Sequence, residues 1–504
     1  MTLHASLERP LPRSLPVGRA TGVFCTGICF DDTEPIDQLE ILVDGVRHPV
    51  SAFAMVRPDA ARSHGPAAAR SGFWGTVPVE PRSAPGTLQF EVQPRLRGGG
   101  VARALLGTIE VALPGRAEGG PAEPEAGKIA ICMATFEPKL ELFRTQIESL
   151  RSQRDVRWKC LISDDCSSPE RFEQIRAELD GDSRFVLSRS PTRLGFYRNF
   201  ERALTLVPPG TELIALCDQD DRWHPDKLAA LRGALGDAVL AYSDLRLVEA
   251  GGRVLRETLW QGRANNHTDL ASMVIANTIT GAASLFRRNL LDVLLPFPDA
   301  PGFQFHDHWL AVAALAAGEV AYVDRPLYDY VQHPAAVFGD VTHGEHQPAS
   351  GIVARALGWL RAAPVRWRAA YMYGYLARQT QVVTLQVRCG ATLTPDKRRA
   401  LNRFLAAERS WLWLLWLGLR PLRALSGRTE TLGSEFELAR GILWKRLAQW
   451  GAGARRPPWG ALAATPPPLE AFTQARLRRW RRSVRSPRPG KLPPARASTG
   501  ADRL

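Results

Sequence analysis

The stretch Leu213-Ile214-Ala215-Leu216-Cys217-Asp218-Gln219-Asp220-Asp221 constrains this chain more than any other. Its apolar half, preceded by Val207-Pro208-Pro209-Gly210, has the length and hydrophobicity of a buried strand in a parallel sheet. Three carboxylates follow in four positions. They fall at the strand's carboxyl end, where open α/β sheets hold their ligands. Asp at i and i+2, with a third alongside, repel one another unless a solvated turn or a cation accommodates them. Mg²⁺ and Mn²⁺ prefer such oxygen donors, usually shared with substrate phosphates. Taken alone, the acidic run reads as a solvated turn capping a helix at Pro225-Asp226-Lys227. Its neighbours reverse that weighting.

From Lys128 onward, strands and helices alternate. Lys128-Ile129-Ala130-Ile131-Cys132-Met133-Ala134-Thr135 has the pattern of a buried strand. Residues 140–152 carry Leu142, Phe143, Ile147 and Leu150 at helical spacing. Trp158-Lys159-Cys160-Leu161-Ile162 predicts a second strand, ending at Ser163-Asp164-Asp165. Ser168-Pro169-Glu170 then supplies an N-cap with proline in the first turn. Phe185-Val186-Leu187 is a third strand and 195–207 a helix. Such alternation argues for a parallel sheet covered on both faces. The strands at 158–162 and 212–217 would then end in acidic loops on one sheet edge, suited to a metal-bridged diphosphate and a ribose or base hydroxyl.

The rest of the chain divides by texture. Residues 1–113 read as a small all-β, sandwich-like accessory domain, with Leu39-Glu40-Ile41-Leu42-Val43 entering an Asp44-Gly45 turn, a hairpin signal. No acids, His or nucleophiles converge there, so packing or glycan contact is expected rather than catalysis. Residues 114–127, rich in Pro, Gly, Ala and Glu, are a linker. The α/β unit spans 128–344, and 345–453 is helical. Within it, Trp411-Leu412-Trp413-Leu414-Leu415-Trp416-Leu417-Gly418-Leu419, flanked by Arg403, Arg409, Arg420 and Arg423, suits either a core helix or one lying in a membrane interface. Residues 454–504 form a Pro- and Arg-rich tail, expected to be disordered.

The net charge of +14 is concentrated in that tail: nine Lys or Arg fall between Arg476 and Arg496, with no acid from Ala471 to Ala501. Anionic partners follow, an anionic membrane surface first. Nucleic acid is not expected, because the charge sits in a Pro-punctuated tail without an interleaved aromatic platform. Seven cysteines at scattered spacing give no disulfide framework. Cys132, Cys160 and Cys217 read as small core residues; Cys25 and Cys29 lack the second pair a zinc site requires. Residues 1–17 contain no signal-peptide core, and no apolar stretch reaches the roughly 20 residues that span a bilayer. A cytoplasmic protein, peripheral on the inner face of the plasma membrane, is expected.

Met133-Ala134-Thr135-Phe136, Ile162-Ser163-Asp164-Asp165, Leu194-Gly195 with Asn199-Phe200, the Asp-x-Asp run 217–223, Thr280-Gly281-Ala282-Ala283, His306-Asp307-His308-Trp309-Leu310 and Tyr330-Val331-Gln332-His333 occur in order over about 128–340. As a set they resemble family 2 glycosyltransferases, in particular the rhamnosyltransferase-like branch of bacterial surface polysaccharide synthesis. The resemblance implies an α/β fold of the GT-A type: a mixed, mostly parallel sheet between helices, here with an N-terminal all-β domain and a C-terminal helical region. It implies a nucleotide-diphosphate sugar donor, a divalent metal (Mg²⁺ or Mn²⁺), a glycan or lipid-linked sugar acceptor, and inversion at the anomeric carbon. Carried over, Thr135 and Glu137 line the nucleotide pocket and Asp164 and Asp165 contact base or ribose. Asp218 and Asp220 hold metal and diphosphate, with Gln219 between them at the donor. His333 contacts phosphate, and Asp307 is the catalytic base.

The chemistry is consistent with those roles. An acceptor hydroxyl is a poor nucleophile near neutral pH, so a positioned carboxylate must take its proton as it attacks. Asp307 also suits a plain helix N-terminal acid, since 309–317 has a helical pattern; the resemblance favours the base. His306 and His308 are expected to flank it rather than to bind metal. Two other enzyme or binding classes compete. A nucleotidyltransferase would need a Gly-rich loop that Ala134-Thr135-Phe136-Glu137-Pro138 lacks. A non-catalytic glycan-binding descendant of the fold is the alternative that the intact Asp218, Asp220 and Asp307 speak against.

Overall fold

The computed structural model describes residues 2–113, 129–302, 304–333 and 365–450. The expected linker and basic tail lie outside these residues, as does the junction at 344.

Residues 2–113 build two facing sheets, as expected. One has four strands in the order Leu3–Leu7, Thr21–Asp31, Gly72–Val79 and Ala52–Met55. The other has five and includes Ile36–Val43, Gly86–Leu96 and Ala104–Ala112. Val23, Cys25, Ile41, Phe73, Phe90, Val92 and Ile109 fill the space between them. Cys25 and Cys29 are both buried there, and burial pushes their thiols up to about 12. The Asp44-Gly45 turn joins Ile36–Val43 to Val46–Pro49, with both residues at positive φ (46° and 84°). That is the requirement of a type I′ hairpin, and glycine meets it without steric cost.

The central unit contains a nine-stranded mixed sheet. Phe185–Arg189, Trp158–Asp164, Ile129–Thr135 and Leu213–Cys217 run parallel in that order. Beyond them the sheet turns mixed, as the resemblance implied. Ser284–Arg287 enters antiparallel to Leu213–Cys217, and Leu240–Glu249 is antiparallel to it in turn. Leu240–Glu249 then pairs in parallel with Val320–Gln332. The short strand Arg222–Trp223 completes the edge against Val320–Gln332, Arg222 facing Asp329. The apolar runs of 129–135 and 213–217 are covered by Leu140–Arg151 and Phe196–Thr205, whose Phe143, Ile147, Leu150, Phe200 and Ala203 are buried.

Residues 365–450 are helical as expected and clamp the two preceding units together. Leu376–Cys389 lies against both. Thr384 Oγ1 accepts from Gly22 N at 3.0 Å, where a Cβ on residue 22 would press to 3.0 Å from that same oxygen. Arg388, at the other end of this helix, donates to Ala20 O, Val293 O and Pro296 O at 2.6–2.7 Å. Pro395–Ala406, Trp411–Leu419 and Ser434–Trp450 pack behind it. Among the described residues no helix is long and apolar enough to cross a membrane.

Candidate active site

In the parallel half of the sheet, register places Thr135 beside Asp164, so Ile129–Thr135, Trp158–Asp164 and Leu213–Cys217 deliver their carboxyl ends to one edge. The next residues are Phe136-Glu137, Asp165 and Asp218-Gln219-Asp220-Asp221, which places the predicted loops together.

Asp164 is fully buried. It accepts from Thr135 Oγ1 (3.2 Å), Ser167 N (2.9 Å) and Ser167 Oγ (2.6 Å). The two oxygens of Asp165, buried as well, accept from Leu194 N at 2.5 Å and Gly195 N at 2.9 Å. Both carboxylates expected on a nucleoside thus brace the loops that shape this edge. Glu137 takes a positive φ of 41°, a region Asn and Gly tolerate better than Glu. Its Oε1 accepts from Ser168 N at 2.6 Å, at the start of Pro169–Leu179. Gln219 pairs with the peptide of Phe136 in both directions: Phe136 N donates to Oε1 at 2.9 Å, and Nε2 donates to Phe136 O at 3.3 Å. The acidic loop and the first-strand loop are therefore tied to each other.

Asp218 and Asp221 show what the sequence spacing costs. Burial, then the charges of Asp220 and Asp307, push the Asp218 carboxyl up to about 7. Burial and the neighbouring Asp218 and Asp220 likewise raise Asp221, whose Oδ2 has no partner among the described residues. Beneath them lies a cation that sequence reasoning missed. Lys227 is wholly buried, with Nζ 3.1 Å from the Trp223 ring centroid and donating to Ala282 O. Its ammonium offsets part of the repulsion and ties the acidic loop to the turn Gly281–Ala283. The only signal was its place at the start of a helix, where lysine is ordinarily solvent-exposed.

On the opposite wall, His306–Ala317 begins with the residues expected around the base. Asp307 lies in its first turn, accepting from His308 N at 2.6 Å and from the Asn277 side chain. Burial raises its carboxyl from 3.8 to about 7. The flanking histidines do not gather at the acids. His308 Nε2 lies 2.8 Å from Met273 O, and His306 stacks on Phe200 with ring centroids 3.6 Å apart. Burial lowers His306 to about 3, so it is neutral. His333, directly after Val320–Gln332, brings Nε2 to 2.7 Å from Asp220 Oδ2.

The donor set suits a hard divalent cation only in part. Asp218 and Asp220 supply mutually repelling oxygens, which a cation would relieve. Among the described residues no group of three or more His, Cys, Asp or Glu side chains is arranged to hold a metal. The pair therefore fits an ion that completes its shell with water and phosphate oxygens.

Residues 131–295 match the family model described as Glycosyl transferase family 2. No curated protein sequence matches the chain. Among solved structures, S. aureus TarS 1-349 in complex with UDP-GlcNAc is 16% identical, with 64% of this chain and 91% of that one covered and a TM-score of 0.37. The mannosyltransferase PcManGT from Pyrobaculum calidifontis, in complex with GDP-Man and Mn²⁺, is 16% identical over 66% of this chain and 91% of that one, with a TM-score of 0.33. Set on the mixed α/β sheet with its acidic edge, this match over residues 131–295 identifies the chain as a glycosyltransferase.

Proposed function

We propose that the chain moves a sugar, rhamnose being the leading candidate, from a nucleotide-diphosphate donor to a hydroxyl of a growing cell-surface glycan or lipid-linked acceptor, with inversion. The observation that carries this is Asp307: a carboxyl raised to about 7, on the wall opposite the acidic loop and electrostatically coupled to Asp218. A base with that pKa is half ionised near neutrality and strong enough to take a proton from an attacking hydroxyl. Attack from the face opposite the leaving diphosphate inverts the anomeric centre in one displacement.

In this mechanism Thr135, Glu137, Gln219 and His333 line the donor pocket, and Asp164 and Asp165 hold its loops in place. Asp218 and Asp220 would hold Mg²⁺ or Mn²⁺, which when bound supplies Lewis-acid neutralisation of the departing diphosphate. Lys227 keeps the acidic loop compact beneath them. The protein works in the cytoplasm, peripheral on the inner face of the plasma membrane, where a lipid-linked acceptor would be presented.

The test is hydrolysis and transfer with a panel of nucleotide sugars (dTDP-rhamnose, UDP- and GDP-hexoses), with Mg²⁺, Mn²⁺ or EDTA. Metal-dependent release of one nucleotide, lost in Asp220→Ala, is expected. No release together with no calorimetric binding of any nucleotide diphosphate would overturn it.

A further inference from the structure

The helix Trp411–Leu419 buries only one side. Leu414 and Leu417 are buried against the neighbouring helices, and Gly418 lies beside Ala439. The other side leaves Trp411 64%, Leu412 67%, Leu415 58% and Leu419 50% exposed, and the following turn adds Leu422 at 59%. Positions 411, 412, 415, 419 and 422 share one helical face, so these side chains form a continuous stripe rather than scattered surface residues. Contiguous apolar surface of this kind marks a contact site.

The charges around it select the occupant. No Asp or Glu occurs between Arg409 and Arg428. Arg446 lies over the Trp411 ring at 4.3 Å and Arg403 over Trp413 at 5.3 Å, while Arg409 and Arg428 are exposed at the ends of the segment. A second copy of this surface would set arginines against arginines. The chain's own residues 471–501 are basic and free of acid, so they too would meet like charge. A leaflet of anionic lipid supplies both an apolar layer for the leucines and countercharge for the rim.

We infer that the 411–422 stripe is a membrane-docking surface that inserts its leucines and Trp411 into the headgroup–acyl boundary of an anionic leaflet. This deepens the peripheral placement proposed above and requires nothing of sugar transfer.

The experiment is co-sedimentation of the full chain with phosphatidylcholine vesicles, with and without phosphatidylglycerol. The comparison is the triple variant Leu412→Ser, Leu415→Ser, Leu419→Ser, its folding checked by circular dichroism and melting. Wild type should partition onto the anionic vesicles, and the variant about tenfold or more weakly, because interfacial binding scales with buried apolar area. Nucleotide-sugar hydrolysis in the variant should stay at the wild-type level, which separates loss of docking from failure of the catalytic assignment. Equal partition of the two proteins would overturn the inference and leave the basic tail as the sole attachment. So would an absence of wild-type binding, or a wild-type dimer that the variant dissolves.

Discussion

Nε2 of His333 lies 2.7 Å from Oδ2 of Asp220, across 113 residues of chain. The contact exists because Arg222–Trp223, two residues past Asp220, pairs antiparallel with Val320–Gln332, the strand that His333 directly follows. With Nδ1 unpartnered among the described residues, Nε2 carries the proton and holds Asp220 in one orientation. His333→Ala should therefore lower metal-dependent turnover by about 10–100-fold, as loss of a residue supporting a ligand does. The metal concentration needed for half-maximal rate should rise. Titrating Mn²⁺ in the donor-hydrolysis assay checks both; an unchanged metal requirement would assign His333 to the donor phosphate alone.

Asp307 makes a prediction about stability as well as rate. Burial raises its carboxyl from 3.8 to about 7. Between those values the folded chain keeps a proton that the unfolded chain has released. This contribution therefore falls as pH rises through the window and levels off above about 7. Asp307→Asn removes that cost. The variant should melt above wild type near pH 8, by no more than about 4 kcal/mol of stability, and converge with it near pH 4. Sugar transfer should drop by about 10²–10⁴-fold. Melting curves across pH, set beside rates, would expose a merely structural Asp307 as one whose loss leaves transfer intact.

Lys227 is the only cation buried directly beneath the acidic loop among the described residues, and burial lowers its pKa while Asp218 and Asp221 oppose that shift. Lys227→Met keeps the volume and removes the charge. The variant leaves Ala282 O without its donor and the acids without a countercharge, so a loss of at least about 1–3 kcal/mol is expected. Part of that should be recovered when added Mg²⁺ or Mn²⁺ meets the uncompensated carboxylates. Urea unfolding with and without metal measures it; a metal-independent loss would make Lys227 a packing residue only.

The sequence made the fold legible wherever a pattern was local. Strand runs at 129–135 and 213–217, the N-cap at Ser168 and the Asp44-Gly45 hairpin all follow from short-range rules, and the structure has each of them. The antiparallel entry of Ser284–Arg287 was not legible, because a four-residue strand carries no directional signal. The same division holds at the candidate site. The acids of 218–221 announce themselves by mutual repulsion. The bracing of Asp164 and Asp165, and the approach of Lys227 to Ala282, depend on partners from distant elements and leave no periodic trace.

Arg388 tests how the three regions are joined. Its guanidinium is buried, and burial lowers its pKa to about 10 while it donates to Ala20 O, Val293 O and Pro296 O. One side chain thus satisfies a carbonyl of the N-terminal β region and two of the central unit from a helix of the C-terminal region. Arg388→Met would leave three carbonyls short of a donor in a region water reaches poorly. At about 1–3 kcal/mol for each buried group left unpaired, the loss should be several kcal/mol. Because it falls at the junction, the expected signature is loss of cooperativity rather than uniform weakening. Urea unfolding should split into two transitions, and limited proteolysis should release the N-terminal β region before the central unit is cut. A single transition shifted to lower urea would mean that the helix clamps the regions through Thr384 and through Thr380, whose Oγ1 lies 3.0 Å from Thr76 Oγ1, and not through Arg388.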